Sequence, residues 1–136
     1  MKPLHIGITG TRSGLTDLQR NELTRFLKRS FEQKAVFHHG DCVGVDVEAA
    51  QIARDLGYKI VGHPPTKTEL RGYFTDDETH TAKTYFARNR DIVNASIALV
   101  VVPWQMEHGT NGGTWYTHDY AEKIGKPTLI IWPEAK

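Results

Sequence analysis

The chain has 136 residues, 17 Lys and Arg against 16 Asp and Glu, and a formal net charge of +1. That length predicts one domain over 1–136, able to bury a core without disulfide or metal, and the near-neutral balance offers no strong field for nucleic acid or membrane. One cysteine, Cys42, excludes an internal disulfide and points to a reducing compartment. The start MKPLHIGITG is too short and too broken by glycine for a signal peptide. No apolar run approaches the roughly 20 residues of a membrane helix, so a cytoplasmic domain of bacterial or phage type is expected.

The elements alternate along the chain. LHIGIT (4–9) reads as a buried strand. Thr16 then caps DLQRNELTRFLKRSF, where Leu18, Leu23, Phe26, Leu27 and Phe31 recur near a helical period. AVFHH is a second strand. VDVEAAQIARDLG is a helix with Val47, Ala50 and Ala53 on one face and Gly57 as its stop. YKIVGH is a third strand, YFARNRDIVNAS a helix, IALVVVP a fourth strand, TWYTHDYAEKIG a helix and PTLIIWP a fifth strand. The strands are continuous apolar runs, which marks a parallel sheet covered on both faces. The predicted fold is α/β, a Rossmann-like, doubly wound, mostly parallel five-stranded sheet sandwiched by helices. PPTKTELRGYFTDDETHTAKT breaks the alternation and makes 63–84 an irregular insertion or lid loop.

Ligands of such sheets bind at the carboxyl ends of the strands, and four segments there carry chemistry. After the first strand, Gly10 lets a backbone approach a ligand, Thr11 offers a hydroxyl and Arg12 a cation. After the second, HHGDCVGVD places Gly40, Asp41 and Gly44 in a turn and Asp46 near a helix start, as a cap or as an acceptor for a ribose hydroxyl. His38 and His39 point to opposite faces of their strand, and no spacing near them or Cys42 matches a zinc pattern, so no metal is expected. In ARNRDIVNAS, Arg88 and Arg90 flank Asn89 at a helix start, an arrangement that would tolerate an anion between them. After the fourth strand, QMEHGTNGGT sets Gly109, Thr110, Gly112, Gly113 and Thr114 before a helix whose free N–H groups suit a phosphate. Trp104, Trp115, Tyr116 and Tyr120 lie nearby, as core or as a surface on which a base stacks.

Read together, GITGTR, HHGDCVGVD, HPP, YFARNRDIVNAS, ALVVVPW and GTNGGTWYTHDYAEKIGKP resemble, in order, the SLOG superfamily. That group includes DprA, the LOG phosphoribohydrolases and the small YspA/YpsA-related proteins, and the chain looks closest to the last. The resemblance implies a nucleotide pocket with phosphate on 109–114 and a homodimer or higher homo-oligomer. It aligns Gly113 and Thr114 with the glycine-threonine of the LOG motif and puts Thr117 where that motif has its catalytic glutamate. A hydroxyl cannot replace a carboxylate at a developing oxocarbenium ion, which leaves Glu107 or Asp119 as substitutes. Three functions follow as expectations: binding of a nucleotide or ADP-ribose-like ligand by a sensor or sequestering protein, a nucleoside 5′-monophosphate N-glycosidase with a displaced carboxylate, or DprA-like binding of single-stranded DNA. The first leads, with no cofactor and no nucleic-acid or membrane partner expected.

Overall fold

The computed structural model describes residues 3–110 and 112–135. Strands β1 (His5–Gly10), β2 (Val36–His39), β3 (Lys59–Gly62), β4 (Glu78–Thr79), β5 (Ala98–Val102) and β6 (Thr128–Ile130) alternate with helices α1 (Asp17–Ser30), α2 (Val45–Asp55), α3 (Tyr85–Ala95) and α4 (Gly113–Lys123). They form one sheet in the order β4-β3-β2-β1-β5-β6, parallel throughout. The sheet therefore has six strands where five were expected. The extra one, Glu78–Thr79, lies inside the segment read as irregular. Both its residues are exposed, it pairs with Val61 and Gly62 of β3 and its Glu78 side chain reaches Lys59 at 3.8 Å, so no apolar pattern announces it.

Two half-cores lie on opposite faces of the sheet. Ile6, Ile8, Phe37, Ile60, Val100 and Val102 pack under Leu23 and Leu27 of α1 and the alanines of α2. Leu99 and Val101 pack under Ile92 and Val93 of α3 and Trp115 and Ala121 of α4. Consecutive β5 residues thus feed opposite cores, as strand alternation requires. Thr16 and Gln19 form the reciprocal capping box at the start of α1, with side-chain to backbone distances of 3.0 and 3.1 Å. Gly57, at φ +104°, follows the end of α2. The buried face of α2 centres on Val45, Ala49, Ala50 and Ala53; half-buried Val47 turns instead toward Gly72, where a Cβ would come within 2.3 Å of its Cγ1.

The chain runs outward through β1, β2, β3 and β4, then returns across the sheet in α3 to lay β5 against the other side of β1. The strand order therefore reverses between β1 and β5, and a crevice opens beyond their carboxyl ends. Gln19, fully buried, holds both walls of that region: its Nε2 donates to the carbonyls of Pro103 at 2.8 Å and Ile131 at 3.0 Å.

Segment 63–84 is fastened to the sheet edge. His80 N donates to Gly62 O and Asp77 N to Ile60 O, both at 2.9 Å. Asp76 Oδ1 meets His39 Nε2 at 2.6 Å in a pair shielded from water. The same carboxylate lies 1.9 Å from where a Gly62 Cβ would stand, so β3 needs glycine there.

Candidate functional site

Two adjoining clefts occupy the crevice. The first, about 410 Å³, is lined by Thr11, Arg12 and Ser13 from the β1–α1 loop, Trp104 and Gln105 after β5, and the first residues of α4. The second, about 170 Å³, runs between the β2–α2 loop and α3, with Arg12, Cys42, Asp46, Tyr85, Arg88 and Asn89 among its walls. Arg12 and Gly113 belong to both.

The end of α4 is open. Its N-cap, Gly112, sits at φ +100° and ψ 160°, and among the described residues no side chain caps the helix. The first N–H groups of α4 have no intrahelical acceptor and carry the positive end of the helix dipole; they face the first cleft at Gly113, Thr114 and Trp115. A Cβ on Gly113 would meet only Asn89 Nδ2, at an ordinary 3.6 Å. The bare backbone at this point is thus not demanded by packing.

Across the cleft stands Arg12. It is exposed, and its side chain makes no hydrogen bond or ion pair among the described residues. Its backbone is fixed closely, because a Cβ on Gly44 would lie 2.4 Å from Arg12 O, and Gly44 itself sits at φ +93°. Val45 N donates to Thr11 O at 3.0 Å and Thr11 N to Val102 O at 3.1 Å. The β1 loop is therefore pinned to both neighbours while its cation stays unpaired.

Arg88 behaves differently. It is buried, and its guanidinium donates to Gly40 O, to His63 O at 3.1 Å, to Cys42 Sγ at 3.3 Å and to the Asn89 side chain. A Cβ on Gly40 would sit 2.5 Å from Arg88 Nη1, so Gly40 makes room for the arginine. Asp46 accepts from Cys42 N at 3.2 Å, which ties down the loop rather than capping α2, whose N-cap is Gly44. Burial pushes the Asp46 carboxyl above the ordinary range, against the opposing pull of Arg88. The Cys42 thiol is also raised, chiefly by burial and then by Asp46; it stays protonated and is no nucleophile at neutral pH.

The other sequence-derived candidates divide. Arg90 donates to Tyr116 Oη at 2.8 Å and lines neither cleft. Two residues on from Arg88, it points about 200° around the helix, so no anion sits between the two arginines. Asp41 is buried and spends its carboxylate on Arg71 Nε and Phe74 N, at 2.7 and 2.8 Å, holding the 63–84 segment. Gly10 faces Val45, whose Cγ1 would be 2.4 Å from a Cβ there, and serves strand–helix packing. Gly109 and Thr110 line a third hollow with Glu107 and His108, which adjoins the first cleft at Trp104 and Gln105; Asn111 lies outside the described residues. Thr117 is buried and donates to Gly113 O at 2.6 Å. Asp119 accepts from His108 and His118 outside both clefts. Of the aromatic residues, Trp115 is core, while Trp104 is 66 % exposed at the rim of the first cleft. Sequence reasoning missed Gln19, Asp76 and the hydrogen-bonded run His5–His38–His63.

No protein-family model matches the chain, and no curated protein matches it. Solved structures do. The molybdenum cofactor binding protein of Rippkaea orientalis superposes with a TM-score of 0.73 at 22 % identity, over 98 % of this chain and 79 % of that one. The molybdenum cofactor carrier protein of Chlamydomonas reinhardtii gives 0.63 at 23 % identity, over 95 % and 76 %. DNA processing protein A of Helicobacter pylori, whose single-stranded DNA binding has been described, gives 0.65 at 21 % identity, over 94 % of this chain and 65 % of its own. The chain has the fold these proteins share, in agreement with the resemblance of its loop motifs to the SLOG superfamily.

Proposed function

We propose that the protein binds a nucleotide or a nucleotide-derived, ADP-ribose-like ligand in the paired clefts, as a sensor or sequestering protein. The observation that carries this reading is the guanidinium of Arg12, unpaired among the described residues, carried by a fixed backbone on the shared wall of both clefts opposite an N-terminus of α4 that no described side chain caps. A phosphate between them would receive backbone N–H donors and a cation from opposite sides. Asp46 would then accept or donate to a ribose hydroxyl in the second cleft, and Trp104 would stack on a base at the rim.

Binding rather than cleavage is supported by the distribution of carboxylates. Glycosidic hydrolysis ordinarily uses a pair flanking the bond, and among the described residues lining the two clefts Asp46 is the only one. Thermal shift with AMP, ADP-ribose and cyclic nucleotides tests the reading. A ligand at a hundred times its Kd adds about 2.7 kcal/mol of stability, and absence of any shift across the panel would sink the proposal. Release of free base from nucleoside monophosphates would replace it with the glycosidase, and a salt-sensitive gel shift with single-stranded DNA with the DprA-like reading. Carriage of the molybdenum cofactor is a second reading, favoured by the 0.73 TM-score to a protein that binds it; adding that cofactor to the panel separates the two.

Two substitutions locate the site. Arg12→Gln removes a charge that makes no hydrogen bond or ion pair among the described residues, so unliganded stability should hold while affinity falls roughly 10- to 100-fold, the worth of a charge-assisted hydrogen bond. Gly113→Ala fits the available space yet places a methyl group in the cradle, and should weaken binding without lowering the unliganded Tm. Unchanged affinity in both would move the ligand elsewhere.

A further inference from the structure

Where α4 meets the loop after β5, among residues that line neither cleft, three donor groups converge. Asp119 Oδ1 accepts from His108 Nε2 at 2.7 Å and from His118 Nδ1 at 2.8 Å. The three atoms all lie within 4.8 Å of one another. His118 is fixed: its side chain is 11 % exposed, its ring stands edge-on to Trp115 at 5.4 Å, and its second nitrogen faces Glu122 Oε1 at 3.4 Å. His108 reaches over from the β5–α4 loop, its ring lying against Trp115 with centroids 4.3 Å apart. The open side of the group faces water, since His108 and Asp119 are 46 % and 58 % exposed.

We propose that His108, His118 and Asp119 form a binding site for a divalent transition ion of zinc type. Two imidazoles and one carboxylate are the donor set that borderline ions prefer. Tetrahedral ligands about 2.0–2.1 Å from an ion stand about 3.3–3.4 Å apart, so the Asp119 oxygen has to separate from each nitrogen by about half an ångström. Exposed Asp119 and the loop-borne His108 can make that adjustment. Glu122 then accepts from the outer nitrogen of His118, the second-sphere carboxylate that orients a metal-bound imidazole. Water completes the coordination from the open side. Because His108 belongs to the loop after β5 and the other two to α4, the ion clips that loop to the helix whose N-terminus forms the cradle. The site stands independently of the nucleotide reading.

Zinc titrated calorimetrically into chelator-treated protein should bind one ion per chain with a micromolar or tighter Kd. His108→Ala and Asp119→Asn, both at exposed positions, should each weaken it at least 10-fold with the unliganded Tm retained. Cobalt should give visible d–d absorption without a thiolate charge-transfer band, since Cys42 lies in another part of the fold. Failure of zinc to bind at 100 μM, as an order-of-magnitude threshold, overturns the assignment. So does equal affinity in the His108→Ala/Asp119→Asn double variant, or a thiolate band with cobalt.

Discussion

Arg88→Met is expected to lower folding stability by about 3–5 kcal/mol, the cost of removing one partner from a buried ionic network. The guanidinium satisfies the carbonyls of Gly40 and His63, contacts Cys42 Sγ, and offsets the buried Asp46 carboxylate. Methionine fills similar volume but leaves those acceptors dry and removes the cation that favours the charged form of Asp46. Arg88→Lys should recover little, because one ammonium on a flexible stem cannot reach four acceptors that lie around a planar fork. Asp46→Asn in the Arg88→Met background should return part of the loss, since a neutral amide at that buried position no longer depends on the cation. Urea unfolding measures all three variants; a loss under about 1 kcal/mol for Arg88→Met would show that the arginine is held for a ligand and not for the fold.

Arg88 also shows where sequence reading stops. The run ARNRD marks a charged helix start, and the location beside the crevice was legible from it. Which arginine turns inward was not. That depends on Gly40 leaving room for a guanidinium 48 positions away, a contact no local pattern encodes. The five main strands were legible because runs such as ALVVV feed both half-cores, and α1 because Thr16 precedes an apolar stripe at helical period. Strand β4 was not, because Glu78 and Thr79 are both exposed and carry no apolar pattern. Asp41 and Asp46 look alike as loop carboxylates; only the tertiary fold gives one to Arg71 and Phe74 and leaves the other on a cleft wall. The α4 cradle was legible as a glycine-rich stretch before a helix, whereas Arg12 as its opposing cation needed the β1–β5 switch point to bring the two loops together.

Thermal stability should fall steeply from pH 7 to pH 5, by about 4 kcal/mol, and the cause is a row of histidines crossing three strands. His5 Nδ1 lies 2.8 Å from His38 Nε2, and His38 Nδ1 lies 2.9 Å from His63 Nε2; His80 stacks on His63 with centroids 4.4 Å apart. Burial, then the neighbouring imidazoles of His63, His5, His80 and His39, hold His38 down to about 3. Burial and then His80 hold His63 down to about 4, with Asp91 pulling the other way. Both are neutral in the folded protein, while the unfolded chain titrates near 6.5. Depressed histidines contribute fully above pH 6.5; as pH falls, the unfolded chain takes up protons the fold refuses, at about 1.4 kcal/mol per pH unit for each group. The loss continues until His63 and then His38 protonate in place, near pH 4 and pH 3. Between pH 6.5 and 5 each contributes about 2 kcal/mol, a large share of the roughly 5–15 kcal/mol that stabilises a domain. The raised carboxyl of Asp46 works in the opposite sense, since its fold-bound proton favours the native state at low pH. Melting curves from pH 7.5 to 5 read the balance: a Tm drop on the order of 10 °C is expected, flattened in His38→Gln. A Tm that stays level over that range would mean the row carries a proton in the folded protein.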